Sequence, residues 1–368
     1  MWYNKAMKNY QYRNKKNNLI LKLIDIVKKN PEKTIKIVAI ILLIIAIIIG
    51  LSVIFKTEQK QKYVEYDGKN INEVRYPGYK ELIDNLKKNH PNWTFTLFYT
   101  KLKWDDVIAS EGHKDGQIYP LNLVPDSSDY PSDWKCEIDK NKKYDNGTWL
   151  CASNKAIKCQ MDPRNILTEE KVFQFKELEY VEDAQTVGGL MQITNNTFLQ
   201  GENIANALIQ AGKNADVDPY FVASRLIQEQ GKKGSTMSKG YQYDENTVVY
   251  NPFNIGAIGN SKDEILKNAG EYAYKQGWTS LESAIVGGIE YVKKDYINKG
   301  QNTLYLQKFD VVNSDGELYK NQYMQNLLAP ESEGKSMLKI YKASNTVDAH
   351  LNFIIPLFEN MPKQVSEK

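Results

Sequence analysis

The stretch DPYFVASRLIQEQG, residues Asp218–Gly231, decides the fold of this 368-residue chain because it predicts a helix with both ends marked. Asp218 is a residue type that caps helix N-termini, and Pro219 suits the first helical position. Gly231 suits the left-handed residue that ends many helices. We therefore expect a helix of about three turns, and the rest of the chain is interpreted around it.

The apolar face of this helix ends in a carboxylic acid. Val222, Leu226 and Glu229 are spaced at i, i+4 and i+7, and Ala223 and Ile227 widen the same stripe. Burial and the negative end of the helix dipole both favour the protonated form of a carboxyl group. That form is the one a general acid needs, so Glu229 is the candidate acid. The alternative is a structural glutamate that caps a neighbouring loop.

Arg225 lies one helical turn before Glu229, where it can form an ion pair that keeps the acid ionised. An arginine on the N-terminal side of its glutamate is the weaker orientation, worth roughly 0.2–0.5 kcal/mol at best. We therefore expect Arg225 to point toward solvent.

Two linked motifs resemble a known family. ASRLIQEQG at residues 223–231 is followed by YNPFNIGAIG at residues 250–259. This pair resembles the glucosaminidase family of bacterial cell-wall hydrolases, glycoside hydrolase family 73, in which a glutamate closes a helix and a hairpin and an N-[LP]-F-[NG]-I-G segment follow. The resemblance implies a lysozyme-like fold and cleavage of peptidoglycan strands after N-acetylglucosamine (GlcNAc), with Glu229 as the catalytic acid.

The resemblance also implies further site residues. NQYMQN, residues 321–326, resembles the family's Q-Y-[AM] segment, whose tyrosine faces the catalytic glutamate. Tyr323 is therefore expected to orient the substrate's acetamido group or a water; a buried core tyrosine is the alternative. Four residues of the 250–259 motif are expected to line the sugar subsites: Tyr250, Asn251, Phe253 and Asn254. No metal or organic cofactor is implied.

The second catalytic group is left open. Asp244 and Glu245 lie on the expected hairpin and match the location of a second carboxylate in some family members. Such a lobe suits an inverting geometry, with carboxyl groups about 6.5–9.5 Å apart. In the other mechanism the substrate's own 2-acetamido group attacks the anomeric carbon, and no second carboxylate is needed. Both acids are then ordinary loop residues.

An uncharged aliphatic stretch, IVAIILLIIAIIIGLSVIF at residues 37–55, predicts a transmembrane signal anchor. Nineteen residues span roughly 28 Å as a helix, close to the ~30 Å bilayer core. No small-x-small cleavage site follows it. Residues 1–36 carry ten basic and two acidic residues, a charge of +8, which leaves 3 − 8 = −5 for the remainder. The positive-inside rule then predicts a single-pass plasma-membrane protein with a cytoplasmic N-terminus and an extracellular catalytic domain.

The charge distribution also bears on partners. The basic residues are confined to the tail, so a nucleic-acid partner has no support. The expected partners are peptidoglycan glycan strands and the plasma membrane. Some membrane-anchored relatives pair with a polytopic membrane protein, which is a further expectation here.

The resemblance extends from about Tyr76, through MDPRNILTEEKVFQFKELEY at residues 161–180, to the C-terminus. We expect a mainly α (α+β), two-lobed catalytic domain with a small β-hairpin lobe. Helices are expected at residues 318–328 and 346–357. The expected division is a basic tail (1–36), the anchor (37–55), a stalk (56–75), an N-terminal accessory segment (76–180) and the catalytic domain (181–368).

Three cysteines, Cys136, Cys151 and Cys159, lie in or next to a polar stretch that is expected to be a long irregular insert. An exported location permits a disulfide, but the sequence does not choose the pair. A zinc site with His113 as fourth ligand is the sharper alternative.

Two other functions stay open. The same fold also suits a muramidase or lytic transglycosylase, which cuts the neighbouring bond of the same polymer. A different class of protein, a non-catalytic glycan-binding membrane scaffold, is the other alternative.

Overall fold

The computed structural model describes Glu32, Leu43 and residues 61–139, 142–144, 147–259, 261–312 and 317–366. The chain divides into residues 1–60 and a compact unit of residues 61–368. Apart from Glu32 and Leu43, the expected tail and the expected anchor at residues 37–55 lie outside the described residues. Within the described part, no helix is both long enough and apolar enough to cross a membrane.

The described residues of the compact unit form a helix-rich α+β fold. Its helices are α1 Tyr79–Asn89, α2 Trp104–Glu111, α3 Asn154–Met161, α4 Val187–Thr194, α5 Glu202–Ala215, α6 Pro219–Gln230, α7 Thr236–Lys239, α8 Lys262–Lys275, α9 Leu281–Asp295, α10 Leu304–Phe309 and α11 Ala329–Ala343. Its strands are β1 Lys62–Glu65, β2 Thr94–Lys103, β3 Leu123–Pro125, β4 Lys143–Tyr144, β5 Trp149–Cys151, β6 Tyr241–Gln242, β7 Val248–Val249 and β8 Asn352–Glu359.

A three-stranded sheet joins the two ends of this unit. β2 lies in the centre, β1 pairs with it antiparallel and β8 pairs with it parallel, with Phe95 opposite Phe353. The expected helix at residues 346–357 is therefore wrong. The six inner residues of β8 are all buried, and a short, uninterrupted apolar run of this kind is typical of a strand covered on both faces. β1 lies within the expected stalk, residues 56–75. Residues 62–65 of that stretch are therefore part of the sheet.

The expected helix at residues 318–328 is also wrong. In residues 317–328 the chain follows turns, bends and extended backbone, and Tyr319 has a φ of 63°. The Oδ2 atom of Asp310 accepts hydrogen bonds from the backbone N–H groups of Lys320 and Asn321 at 2.8 and 2.7 Å. These bonds hold the backbone where helical i to i−4 bonds would otherwise form.

The polar stretch expected to be irregular contains a second small sheet, in the strand order β3-β5-β4. A disulfide joins Cys136 to Cys151, and Cys159 is buried on α3 outside this bond. His113 contacts Asp139 with its Nε2 atom 2.8 Å from the carboxylate oxygen. Because two of the three thiols form a disulfide, the zinc alternative is wrong for this structure.

The expected hairpin is present as β6 and β7. It packs with α8 around a small hydrophobic cluster that is separate from the main core and comprises Val249, Ala273, Trp278 and Ala284. The main core lies between the large sheet and the helices that surround α6. The hairpin therefore stands on its own small support beside the central helix.

Candidate active site

The helix that carries Glu229 begins and ends as its sequence predicts. The Asp218 carboxylate accepts hydrogen bonds from the backbone N–H groups of Tyr220 and Phe221 at 2.8 and 3.2 Å. The same carboxylate also forms an ion pair with the Lys176 ammonium group, at 2.7 Å. Gly231 ends the helix with a φ of 69°, a value that favours glycine. The Asp218 cap therefore fixes the start of α6, and Gly231 follows its last residue as expected, although its ψ of 163° places it outside the left-handed helical region.

Glu229 is half-buried and lines a groove with a volume of about 1060 Å³. This volume lies at or above the upper end for a single small molecule, roughly 300–1,000 Å³. The lining residues are Leu121, Leu123, Trp149, Gln228, Glu229, Ala257, Ile258, Tyr319, Lys320, Gln322, Tyr323, Met324, Gln325 and Asn326. Of these described residues, Glu229 alone carries a carboxyl group. The groove thus combines one acid and one lysine, Lys320, with amide, aromatic and apolar side chains.

Tyr323 contacts Glu229 directly. Its hydroxyl group donates a short hydrogen bond to the Oε1 atom of Glu229. Burial raises the pKa of Tyr323 well above its usual value, and nearby Glu333 and Glu229 act in the same direction while Arg225 opposes them. The phenol is therefore neutral at physiological pH and remains a hydrogen-bond donor. The structure brings together the two residues that the resemblance pairs.

The expectation that Arg225 points toward solvent is wrong. Arg225 is 3% exposed, and its Nε and Nη2 atoms donate to the Oε2 atom of Glu333 at 3.3 and 3.0 Å. Its guanidinium carbon lies 3.6 Å from the centre of the Tyr323 ring and 4.4 Å from that of Phe221. Glu333, on α11, is 1% exposed. A buried partner and two aromatic faces therefore hold the guanidinium group in the protein interior.

Each member of this buried pair shifts the pKa of the other. Burial raises the pKa of Glu333, the ion pair with Arg225 opposes that rise, and the charge of Glu229 adds to it. Burial alone lowers the pKa of Arg225, but Glu333 and Tyr323 more than offset that effect and raise it. Arg225 therefore stays charged. Because Glu333 binds its nitrogen atoms, the arginine is directed to that partner.

Gln322, next to Tyr323, bridges two buried groups of opposite charge. Its amide nitrogen donates to Glu111 at 2.8 Å, and its amide oxygen accepts from Lys308 at 3.2 Å. Burial raises the pKa of Glu111, whereas burial lowers the pKa of Lys308 to about 8; each charge moderates the shift of the other. The loop that carries Tyr323 is thus anchored to α2 through Glu111 and to α10 through Lys308.

Asp244 and Glu245 are not brought to the groove. Both are exposed at the turn between β6 and β7, and neither is among the groove-lining residues. The Asp244 carboxylate accepts a 2.9 Å hydrogen bond from the backbone N–H of Asn246. Hydrogen bonds from this group and from Thr247 lower the pKa of Asp244. In this structure Asp244 stabilises its own turn.

Asn251 is a structural residue. Its side chain is fully buried, its amide nitrogen donates to the carbonyl groups of Ile255 and Ala269 at 2.8 and 3.0 Å, and its oxygen accepts from the Ile255 N–H at 3.1 Å. In this structure the buried side chain shapes the turn and is not among the groove-lining residues. The expectation that Asn251 contacts sugar stays a prediction.

The other three expected subsite residues are half-buried, and none of them is among the groove-lining residues. Phe253 packs against the main core, Asn254 adopts a φ of 54°, and Tyr250 packs on the small hairpin cluster. The residues of this segment that line the groove are Ala257 and Ile258. The Gln230 amide joins the end of α6 to this segment by donating to the Pro252 carbonyl at 2.7 Å.

Sequence reasoning missed several residues of the site. Trp149 reaches the groove from the disulfide-linked insert, and Gln322 and Glu333 act through contacts with distant segments. One signal was available for Arg225: residues on every side of α6 are apolar or small from Pro219 to Leu226, so a solvent-facing side was never indicated. Across the described residues, no group of three or more His, Cys, Asp or Glu side chains is placed to hold a metal ion.

Comparisons with known proteins identify similar sequences and one similar fold. No family model matches the chain. Over 169 residues the chain is 31% identical to the beta-N-acetylglucosaminidase of Bacillus subtilis (strain 168), covering 44% of this chain and 18% of that protein. Over 185 residues it is 28% identical to the bifunctional autolysin of Staphylococcus epidermidis, covering 46% of this chain and 13% of that protein. The chain thus spans less than a fifth of the length of these curated relatives.

The fold has a solved counterpart. The crystal structure of S. aureus glucosaminidase B superposes with a TM-score of 0.52 and 22% sequence identity, covering 75% of this chain and 97% of that chain. The described unit therefore has a helix-rich α+β fold similar to that of a glucosaminidase. The proteins that this chain resembles, both in sequence and in fold, are bacterial glucosaminidases and autolysins.

Proposed function

We propose that the chain is an endo-β-N-acetylglucosaminidase that hydrolyses the β-1,4 bond after GlcNAc in peptidoglycan glycan strands. The observation that carries this proposal is the contact between Glu229 and Tyr323 in a groove where Glu229 is the only acid among the described lining residues. The sequence likeness to a beta-N-acetylglucosaminidase supports the choice of bond. The activity belongs to cell-wall remodelling of the kind that autolysins carry out.

Glu229 acts as the general acid in this proposal. Glycosidic bond cleavage needs a proton on the leaving oxygen and a group that attacks or stabilises the anomeric carbon. Glu229 supplies the proton. The groove offers no second carboxyl group among its described residues, which favours attack by the 2-acetamido group of the substrate. The neutral Tyr323 hydroxyl group then holds Glu229 in position and orients the acetamido group.

A digest of purified peptidoglycan tests the activity. We would compare the full-length chain with Glu229→Gln and identify new reducing ends by mass spectrometry after borohydride reduction. Reduced GlcNAc ends from the parent and none from the variant are expected. MurNAc or anhydro-MurNAc ends would instead assign a muramidase or a lytic transglycosylase. If neither protein releases products, even in membranes, the glycan-binding scaffold takes the place of the hydrolase.

We also propose that residues 37–55 anchor the chain in the plasma membrane, with the N-terminus in the cytoplasm and residues 61–368 outside. The uncharged apolar run and the +8 charge of residues 1–36 support this orientation. Protease added to intact protoplasts should digest residues 61–368 and spare an N-terminal tag. A chain that stays whole until the protoplasts are lysed would contradict the orientation. Cross-linking in the same membranes would test for a polytopic membrane protein as partner.

A further inference from the structure

The insert between α2 and α3 contains the small sheet β3-β5-β4 and the disulfide, and we call it the wall. Its sheet pairs β5 with both β3 and β4, so that Trp149 lies opposite Pro125 on one side and Tyr144 on the other. The disulfide between Cys136 and Cys151 closes the insert, and Trp149 packs against the cluster that both cysteines form with Leu123 and Tyr144. The backbone of Trp149 is therefore paired on both sides, and its side chain packs on a cluster that contains the disulfide.

This wall is joined to the loop that carries Tyr323. The backbone N–H of Leu123 donates to the Gln325 carbonyl at 2.7 Å, and the N–H of Leu327 donates back to the Leu123 carbonyl at 2.9 Å. The Gln325 amide donates to the Pro120 carbonyl at 2.7 Å. An isolated parallel β-bridge therefore joins Leu123 to Asn326, and it places the wall next to the loop of the candidate active site.

Trp149 faces the groove that contains Glu229, and it differs from the other tryptophans of the described residues. Trp93, Trp104, Trp134 and Trp278 are at most 5% exposed, whereas Trp149 is half-buried and lines the groove. An indole with one side against a small core and the rest along a groove presents a flat apolar surface. The same groove also holds amide side chains at Gln228 and Asn326.

These features match the chemistry of an N-acetylated sugar. A pyranose ring has an apolar face of C–H groups that stacks on aromatic rings, and its hydroxyl and acetamido groups hydrogen-bond to amides. We propose that Trp149 is a glycan-binding residue on which one ring of a β-1,4-linked N-acetylhexosamine strand stacks, with the disulfide-linked insert as its support. This inference rests on the proposed function for the identity of the polymer, but glycan binding does not require cleavage.

The test measures glycan binding in the full-length chain with Glu229→Gln, so that the probe is not consumed. Isothermal titration with a β-1,4-linked GlcNAc hexamer is compared for this parent and for versions that also carry Trp149→Ala, Trp149→Phe or Tyr119→Ala. Tyr119 is a matched control, because it is a 66% exposed aromatic residue of the same insert that does not line the groove. Thermal unfolding of each variant confirms that the fold is kept.

We expect Trp149→Ala to weaken binding at least tenfold, Trp149→Phe to stay within about threefold of the parent, and Tyr119→Ala to have no effect. Equal binding by the parent and by a folded Trp149→Ala variant, or no binding by the parent, would overturn the proposal.

The two proposals fail separately. If binding depends on Trp149 but the chain with Glu229 intact releases no products from peptidoglycan, the glycan site stands and the hydrolase does not. If that chain cleaves peptidoglycan but glycan binding is unchanged in Trp149→Ala, the proposed hydrolase activity is supported and the proposed glycan-binding role of Trp149 is not.

Discussion

The guanidinium carbon of Arg225 lies 3.6 Å from the centre of the Tyr323 ring. The hydroxyl group of the same tyrosine donates a hydrogen bond to Glu229. Arg225 is held by Glu333 in turn. A chain of three contacts therefore links a buried glutamate on α11 to the candidate acid at the end of α6. Two of these contacts involve Tyr323, so its ring and its hydroxyl group have separable roles.

Tyr323→Phe should separate those roles. The substitution removes the hydroxyl group but keeps the ring beneath Arg225. Loss of one positioned donor in an active site typically lowers kcat by about 10²–10³-fold, and we expect a loss toward the lower end because Glu229 remains. The midpoint of thermal unfolding should change little. Tyr323→Ala should lower both kcat and the midpoint of thermal unfolding, since it also removes the aromatic face. Unchanged kcat in Tyr323→Phe would show that the hydroxyl group has no part in the reaction.

Glu333→Gln should lower kcat through the contacts of Arg225. The substitution removes the negative charge that holds Arg225 against the Tyr323 ring. The hydroxyl group that donates to Glu229 is then held less firmly. We expect kcat to fall, but by less than in Tyr323→Ala. Breaking a buried ion pair also costs about 3–5 kcal/mol of the free energy of unfolding, to be measured by urea denaturation.

Glu331→Gln is the matched control for that experiment. Glu331 lies on the same helix but pairs with Lys335 at i, i+4 and with Lys171 at 3.3 Å, and both lysine side chains are partly exposed. We expect Glu331→Gln to leave kcat unchanged and to cost less of the free energy of unfolding than Glu333→Gln, because solvent screens pairs with exposed lysines. An equal fall of kcat in both variants would mean that helix stability, not the charge of Glu333, sets the rate.

The buried charges beneath Gln322 give a prediction about stability. Lys308→Met leaves Glu111 buried without its cation, whose charge holds the pKa of that carboxyl group down against burial. In the variant the folded-state pKa of Glu111 is therefore higher still, above its unfolded value. The penalty is absent below the ordinary glutamate range and grows as the pH rises through the raised pKa. We expect a loss of about 3–5 kcal/mol at pH 8 and a smaller loss at pH 5.

The double variant Glu111→Gln with Lys308→Met provides the comparison. With both charges removed, the loss at pH 8 should be smaller than for Lys308→Met alone, and its pH dependence should disappear. Urea denaturation at both pH values measures each quantity. Equal losses in the single and double variants would show that Lys308 contributes by packing alone.

Local signals decided which parts of this structure the sequence predicted. The caps and apolar spacing of α6 lie within fourteen residues, so its bounds and its terminal acid were predictable. The partner of Arg225 is 108 residues away and the β2 partner of β8 is 258 residues away, so neither the buried arginine nor the strand was visible in a local pattern. Trp149 reaches the groove from an insert that a disulfide closes and that an isolated β-bridge joins to the Tyr323 loop; neither contact is visible in a local pattern.

The mechanism can be tested at the two acids that the structure leaves at the hairpin turn. If the substrate's acetamido group is the nucleophile, Asp244→Asn combined with Glu245→Gln should keep kcat within about threefold of the parent, because neither residue lines the groove. The same protein should fail to cleave a de-N-acetylated substrate, and hydrolysis should retain the configuration of the anomeric carbon. A fall of 10²-fold or more in the double variant, together with inversion seen by NMR, would instead return the second catalytic role to a hairpin carboxylate that closes over the bound strand.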